Sequence, residues 1–223
     1  MGSVLKSCYT LPHLHTLQIK GFPNRYSTPA VLTWLSTPCL RDLDISFDCP
    51  PRDPSDDEDG PDDPEFAEDM GWFMHSNSGR TDTLRRLRIH GIILPWMTLQ
   101  LVLETVPSVT RLTLDAVSFE FDPEELCLVW PDSLLPSLHS LEILRADDTF
   151  DCQPIFSFVQ ARCEKKFHSG RSDGVRHLKI SKFCSKPTVG QGAKESAAAK
   201  ALRQQGVDVE IVLEDSARSK TKE

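Results

Sequence analysis

One six-residue phrase, L-x-x-L-x-L with conservative apolar exchanges, recurs six times and limits what this chain can fold into. Its copies are Leu14-His-Thr-Leu17-Gln-Ile19, Leu40-Arg-Asp-Leu43-Asp-Ile45, Leu84-Arg-Arg-Leu87-Arg-Ile89, Val109-Thr-Arg-Leu112-Thr-Leu114, Leu138-His-Ser-Leu141-Glu-Ile143 and Val175-Arg-His-Leu178-Lys-Ile180. The second half of each copy alternates apolar and polar residues, the period of a half-buried strand. A strand this short cannot bury its apolar side alone, so repetition at intervals of tens of residues implies copies stacked on one another. Four copies carry a proline two residues before the first apolar position: Pro12, Pro38, Pro107 and Pro136.

The first apolar residues are separated by 26, 44, 25, 29 and 37 residues. Leucine-rich repeats run at about 20–29 residues. The long interval therefore predicts one insertion and the last one a longer return path. A seventh strand is expected over Val207–Leu213, and helices over 28–35, 94–106, 122–129, 153–166 and 193–205, the last ending at Gly206. The expected fold class is α/β, an irregular leucine-rich-repeat solenoid with a curved parallel sheet and helices on the convex side. It forms one domain over 1–213, with a disordered acidic insertion at 48–69 and a disordered tail at 214–223. The Asn or Cys that closes each turn in regular repeats is missing; Phe22, Asp48, Ile92, Val117 and Phe183 stand there instead. Irregular turns are expected.

Net charge is -8, and it is unevenly placed. Residues 48–69 hold 11 acids and five prolines against one arginine, a composition that builds no core. Residues 162–186 carry a net +6, read as a charged helix and turn facing water. The acidic balance argues against a general nucleic-acid binder. Seven cysteines, an odd number with no C-x-x-C, read as reduced thiols of an intracellular protein, cytoplasmic or nuclear. No secretory leader is expected, myristoylation fails at Lys6, and the most apolar window, 92–106, is too short to span a bilayer. No membrane partner and a monomeric state are expected.

Chemistry-bearing motifs are scarce. An EF-hand register around Gly60 places Asp57 and Asp59 well but puts Ser55 and Phe66 at the two end ligands, so it fails. Ser55, followed by Asp56, Asp57 and Glu58, is the candidate phosphorylation site; a purely solvating loop is the stronger expectation. His13 and His15 make two ligands at most, and Gly190-Gln-Gly192 lacks the rest of a nucleotide motif. No catalytic constellation, metal site or cofactor is expected. The constructive signal is the polar side of the strands, since alternate residues point to opposite sides of a sheet. It carries Asp42 and Asp44, then Arg86, Arg88 and His90, then Arg111 and Asp115, then Glu142, then His177 and Lys179. These form the expected partner-binding concave face.

The Pro-x-Leu-x-x-Leu-x-Leu phrases at 38–45, 107–114 and 136–143, with the ending Leu202-Arg-Gln-Gln-Gly-Val-Asp-Val-Glu-Ile211, carry a resemblance. Over roughly residues 10–213 the chain resembles the C-terminal region of F-box proteins with irregular leucine-rich repeats from mushroom-forming fungi. The resemblance implies substrate recognition for a cullin-based ubiquitin ligase, with no catalytic residues. The N-terminal F-box of that family is absent, so no binding to a ligase adaptor is expected. The sequence-based alternatives are a small α/β enzyme or regulatory domain, or a truncated, non-functional remnant.

Overall fold

The structure is a computed structural model and describes residues 9–22, 32–47, 70–71, 73–74, 83–120, 134–146, 150–169, 174–184 and 196–215. Its strands are β1 (Tyr9–Thr10), β2 (Thr16–Phe22), β3 (Leu35–Ser36), β4 (Asp42–Phe47), β5 (Arg86–His90), β6 (Ile93–Pro95), β7 (Arg111–Asp115), β8 (Ser118–Glu120), β9 (Ser140–Ala146), β10 (His177–Cys184) and β11 (Asp208–Asp215). The helices are α1 (Trp96–Glu104), α2 (Gln153–Ser169) and α3 (Ala197–Gln204). Every phrase forms a strand, and the expected seventh strand is β11.

Seven strands make one parallel sheet in the order β11-β10-β9-β7-β5-β4-β2. Each phrase strand therefore lies beside the next phrase strand of the chain. The register is shared as well. Leu17, Leu43, Leu87, Leu112, Leu141, Leu178 and Val209 form one row, and Ile19, Ile45, Ile89, Leu114, Ile143, Ile180 and Ile211 a second. From β4 to β10 both rows are buried, while Leu17 and Ile19 on the outer strand β2 are only partly covered. These two apolar rows are the core. Leu99, Val102 and Leu103 of α1, Phe156 and Val159 of α2, and Leu202 of α3 join them in it.

The prolines before the phrases have a geometric reason. Leu14, Leu40, Val109 and Leu138 each donate a backbone hydrogen bond to the carbonyl three residues earlier, on Leu11, Thr37, Val106 and Leu135, at 3.0–3.2 Å. Each proline is thus the second residue of a tight turn, where its fixed φ is favoured. The turn delivers the chain into the strand. There the carbonyls of His15, Arg41, Arg85, Thr110 and His139 each accept two N–H groups from the next strand's approach, at 2.8–3.1 Å.

Some expectations need correction. The expected helix over 28–35 is, where described, a single 3-10 turn (Leu32–Trp34) running into β3. Residues 214–215, assigned to the tail, belong to β11. The turns after the strands are more regular than expected: Gly21, Gly91, Ala116 and Arg145 all have positive φ (72°, 69°, 51° and 52°), each two residues after the last apolar position of its phrase. Glycine is needed at one of them, because a Cβ on Gly91 would lie 2.5 Å from the Phe47 carbonyl oxygen. Two short parallel pairs, β1 with β3 and β6 with β8, were not anticipated. Neither were Met70 and Phe73, helical residues that are fully buried. Helix α3, expected over 193–205, runs Ala197–Gln204 behind Ser196, whose hydroxyl accepts from the Ala199 N–H; Gly206 follows it at φ 85°, as the sequence suggests. The helix expected at 122–129, the acidic segment 48–69 with Ser55, and Gly190-Gln-Gly192 lie outside the described residues.

Candidate interaction face

Parallel register sorts the charges by strand. On the polar side of the sheet β4 presents Asp42 and Asp44, β5 presents Arg86 and Arg88, β10 presents His177 and Lys179, and β11 presents Asp208 and Glu210. Acids and bases are cross-strand neighbours, and they pair. Asp42 meets Arg86 at 3.5 Å, and Asp44 meets Arg88 at 3.8 Å. His177 meets Asp208 at 3.1 Å, and Lys179 meets Glu210 at 3.0 Å. Glu142 accepts the Thr113 hydroxyl at 3.0 Å. All ten expected face residues share this side, and nine of them, all but Arg111, are engaged in these or the following contacts.

Asp115 departs from the expectation of an exposed binding residue. It is buried at 2% exposure, and Thr113, Ser140 and Ser181 on the polar side of the sheet are buried too. Long charged side chains overlie the sheet centre and exclude water there. Arg88 Nη2 donates to Asp115 Oδ2 at 2.5 Å and Arg145 Nε to Asp115 Oδ1 at 2.6 Å. Burial alone pushes the Asp115 carboxyl up, but the two guanidinium hydrogen bonds, with the charges behind them, hold it below the ordinary aspartate value. The Asp115 hydrogen bond raises Arg88 further above its ordinary value, against the opposing effect of its own burial. Arg145 was missed from sequence. It holds this place because its left-handed backbone turns the chain after Ile143, and its N–H is fixed by the Ser181 hydroxyl at 2.8 Å.

His90 and Ser46 form the one arrangement here that suggests chemistry. His90 Nδ1 lies 2.7 Å from Ser46 Oγ, and His90 is the register partner of Asp115. Burial lowers the imidazole's pKa, with Arg145 and Arg88 adding to the effect and Asp115 opposing it. A neutral histidine bonded to a serine hydroxyl has the elements of a base and a nucleophile. The third element is missing: both Asp115 oxygens are taken by arginines, and no described contact orients the other ring nitrogen. The Cys152 thiol is a poor nucleophile as well, pushed up by burial despite the nearby charge of Lys182.

Other sequence candidates fall apart spatially. His13 and His15 are exposed, before β2. The basic stretch is not simply solvated: Arg162 donates to the carbonyls of Leu134, Leu135 and Pro136 at 2.8–3.1 Å and lies over the Phe158 ring. It thereby clasps the turn that contains left-handed Leu135. Among the described residues no three His, Cys, Asp or Glu gather as a metal site, and no helix is long and apolar enough to cross a membrane. Set against protein-family models, curated proteins and solved structures, the chain matches none.

Proposed function

We propose that this chain is a protein–protein recognition module: an irregular leucine-rich-repeat solenoid that binds its partner through the polar, concave side of the sheet. One observation carries the reading, namely seven sequential parallel strands in a single register, with charged side chains aligned along one side. A rigid sheet presents such side chains at small entropic cost to binding. On this reading the chain is similar to the substrate-recognition half of an F-box protein, with no cofactor and no catalytic role of its own. An odd number of cysteines with no C-x-x-C fits reduced thiols and so supports a reducing, intracellular setting.

The test is affinity purification of the tagged chain from its native cells, with mass spectrometry of what accompanies it. A partner is expected that is lost when Lys179→Glu and Glu142→Lys are combined on the face. Recovery of the same partner by that variant, or of chaperones alone by the wild type, overturns the reading. Two observations favour other readings. The Ser46–His90 bond favours an enzyme, and covalent labelling of Ser46 by a fluorophosphonate probe would establish that alternative. Exposure of Tyr9 and Leu11, with Leu17 and Ile19 only partly covered, favours a weakly folded remnant, since terminal repeats need capping. Absence of a cooperative unfolding transition would support it.

A further inference from the structure

We propose that the approach edge of β4, β5 and β7 is a docking site for a carboxylate-rich segment of a partner protein. Four arginines lie along it. Arg41 and Arg85 occupy equivalent positions just before β4 and β5, and the Arg85 N–H donates to the Arg41 carbonyl at 2.8 Å. Arg86 and Arg111 open β5 and β7 and are register partners. All four side chains are exposed. The single acid among them is Asp42, whose contact with Arg86 is long, at 3.5 Å, and open to water. Arg41 and Arg111 meet no acid among the described residues. Arg85 donates to the Ser108 carbonyl, a neutral acceptor that leaves its charge unanswered.

The rest of the sheet makes this edge unusual. Beyond it, Arg88 and Arg145 meet Asp115, His177 meets Asp208 and Lys179 meets Glu210; here three guanidinium charges are left over within two interstrand steps, about 10 Å. Like charges so close repel, and an anion relieves that cost. Arginine's planar fork pairs carboxylates two hydrogen bonds at a time. Extended peptide crossing the strands sets same-side residues about 7 Å apart, a mismatch with the strand spacing that long arginine side chains absorb. Nucleic acid fits less well. Strands β4, β5 and β7 bear no exposed aromatic ring for stacking bases, and the chain's net charge of -8 repels a long polyanion. The proposal rests on the recognition reading above, but it puts the contact at the sheet's edge and names the chemistry of the partner.

The test uses the full chain and a fluorescein-labelled twelve-residue peptide of alternating glutamate and serine, followed by fluorescence anisotropy at low salt. Binding that weakens with added salt is expected. Combining Arg85→Glu with Arg111→Glu should weaken it at least tenfold, and Lys200→Glu on α3, an exposed lysine away from the sheet, should leave it within twofold. If the double variant loses its circular dichroism signature, Arg41→Gln replaces it, with a severalfold loss expected. Equal affinity for wild type and edge variants overturns the proposal, as does no binding by the wild type or equally tight binding of oligothymidylate. The cellular purification separates the two readings. A partner kept by the edge variant but lost with the face variant sinks the edge alone. Failure of the wild-type chain to retain any partner sinks the recognition reading, while the peptide titration still decides the chemistry of the edge.

Discussion

A carboxylate at the centre of a sheet persists only where its charge is answered, and Asp115 is answered twice. Replacing it by asparagine leaves Arg145 without its carboxylate and Arg88 with only the longer contact to Asp44, at 3.8 Å. Removing one partner of a buried pair costs about 3–5 kcal/mol; both arginines keep part of their surface in water, so about 2 kcal/mol is expected, read from urea midpoints. The sign with pH follows from the folded state. Asp115 is held below the ordinary value of 3.8, so its contribution is complete above that pH and lost as pH falls through the lower, folded value. His90 titrates lower than its ordinary 6.5. It stays neutral in the fold while the unfolded chain takes up a proton, so stability also declines as pH drops below 6.5. Asp115→Asn should remove the acidic limb that belongs to it, and His90→Gln should flatten its limb just below 6.5. Unfolding titrations across that range that match wild type would contradict the assignments.

At the scale of elements, the left-handed residue that recurs after four of the phrases, at Gly21, Gly91, Ala116 and Arg145, can be tested by exchange. Ala116 sits at φ 51° where Gly21 and Gly91 stand in other copies. A side chain costs about 1 kcal/mol or more in that conformation, so Ala116→Gly should stabilise by about 0.5–1 kcal/mol, less than the full relief because glycine frees the unfolded chain. Gly91→Ala should cost more than 2 kcal/mol, since the added Cβ meets the Phe47 carbonyl as well as the backbone penalty. Thermal melts of the two variants shifting in the same direction would refute this account. The same position shows why part of the face was hidden in the sequence. The period-two pattern announced the strands, and with them Asp42, Arg86, Arg88 and Lys179. Arg145 reaches Asp115 only through a backbone conformation that arginine rarely takes, so nothing in the local pattern signals it. Arg162 was read as a solvated helix charge because its acceptors, three carbonyls, come from a turn distant in sequence.

For the whole molecule, stability is unevenly distributed along the sheet. Leu112 is fully buried between neighbours on both sides, while Leu17 lies on an outer strand and is partly open. Leu112→Ala should cost about 3–4 kcal/mol and Leu17→Ala under 2 kcal/mol. Equal losses in chemical denaturation would mean that the ends are as well covered as the middle. The α/β class and the parallel sheet were legible because repetition is visible in a single sequence. Burial on the polar side was not, because it depends on side chains from β5 and β9 folding over β7.

Strand order in space that follows strand order in the chain has a mechanical consequence. Pulled by its two ends, the sheet is loaded like a zipper and not in shear across its full width. Strand β11 bears on β10 alone and β2 on β4 alone within the sheet, so the outer strands peel before the inner ones, and loss of β11 releases about 30 residues, roughly 10 nm of slack, before the next pair takes up the force. The molecule would yield in a series of modest steps, each the length of one repeat, where a sheet of interleaved strands would hold and then give way at once.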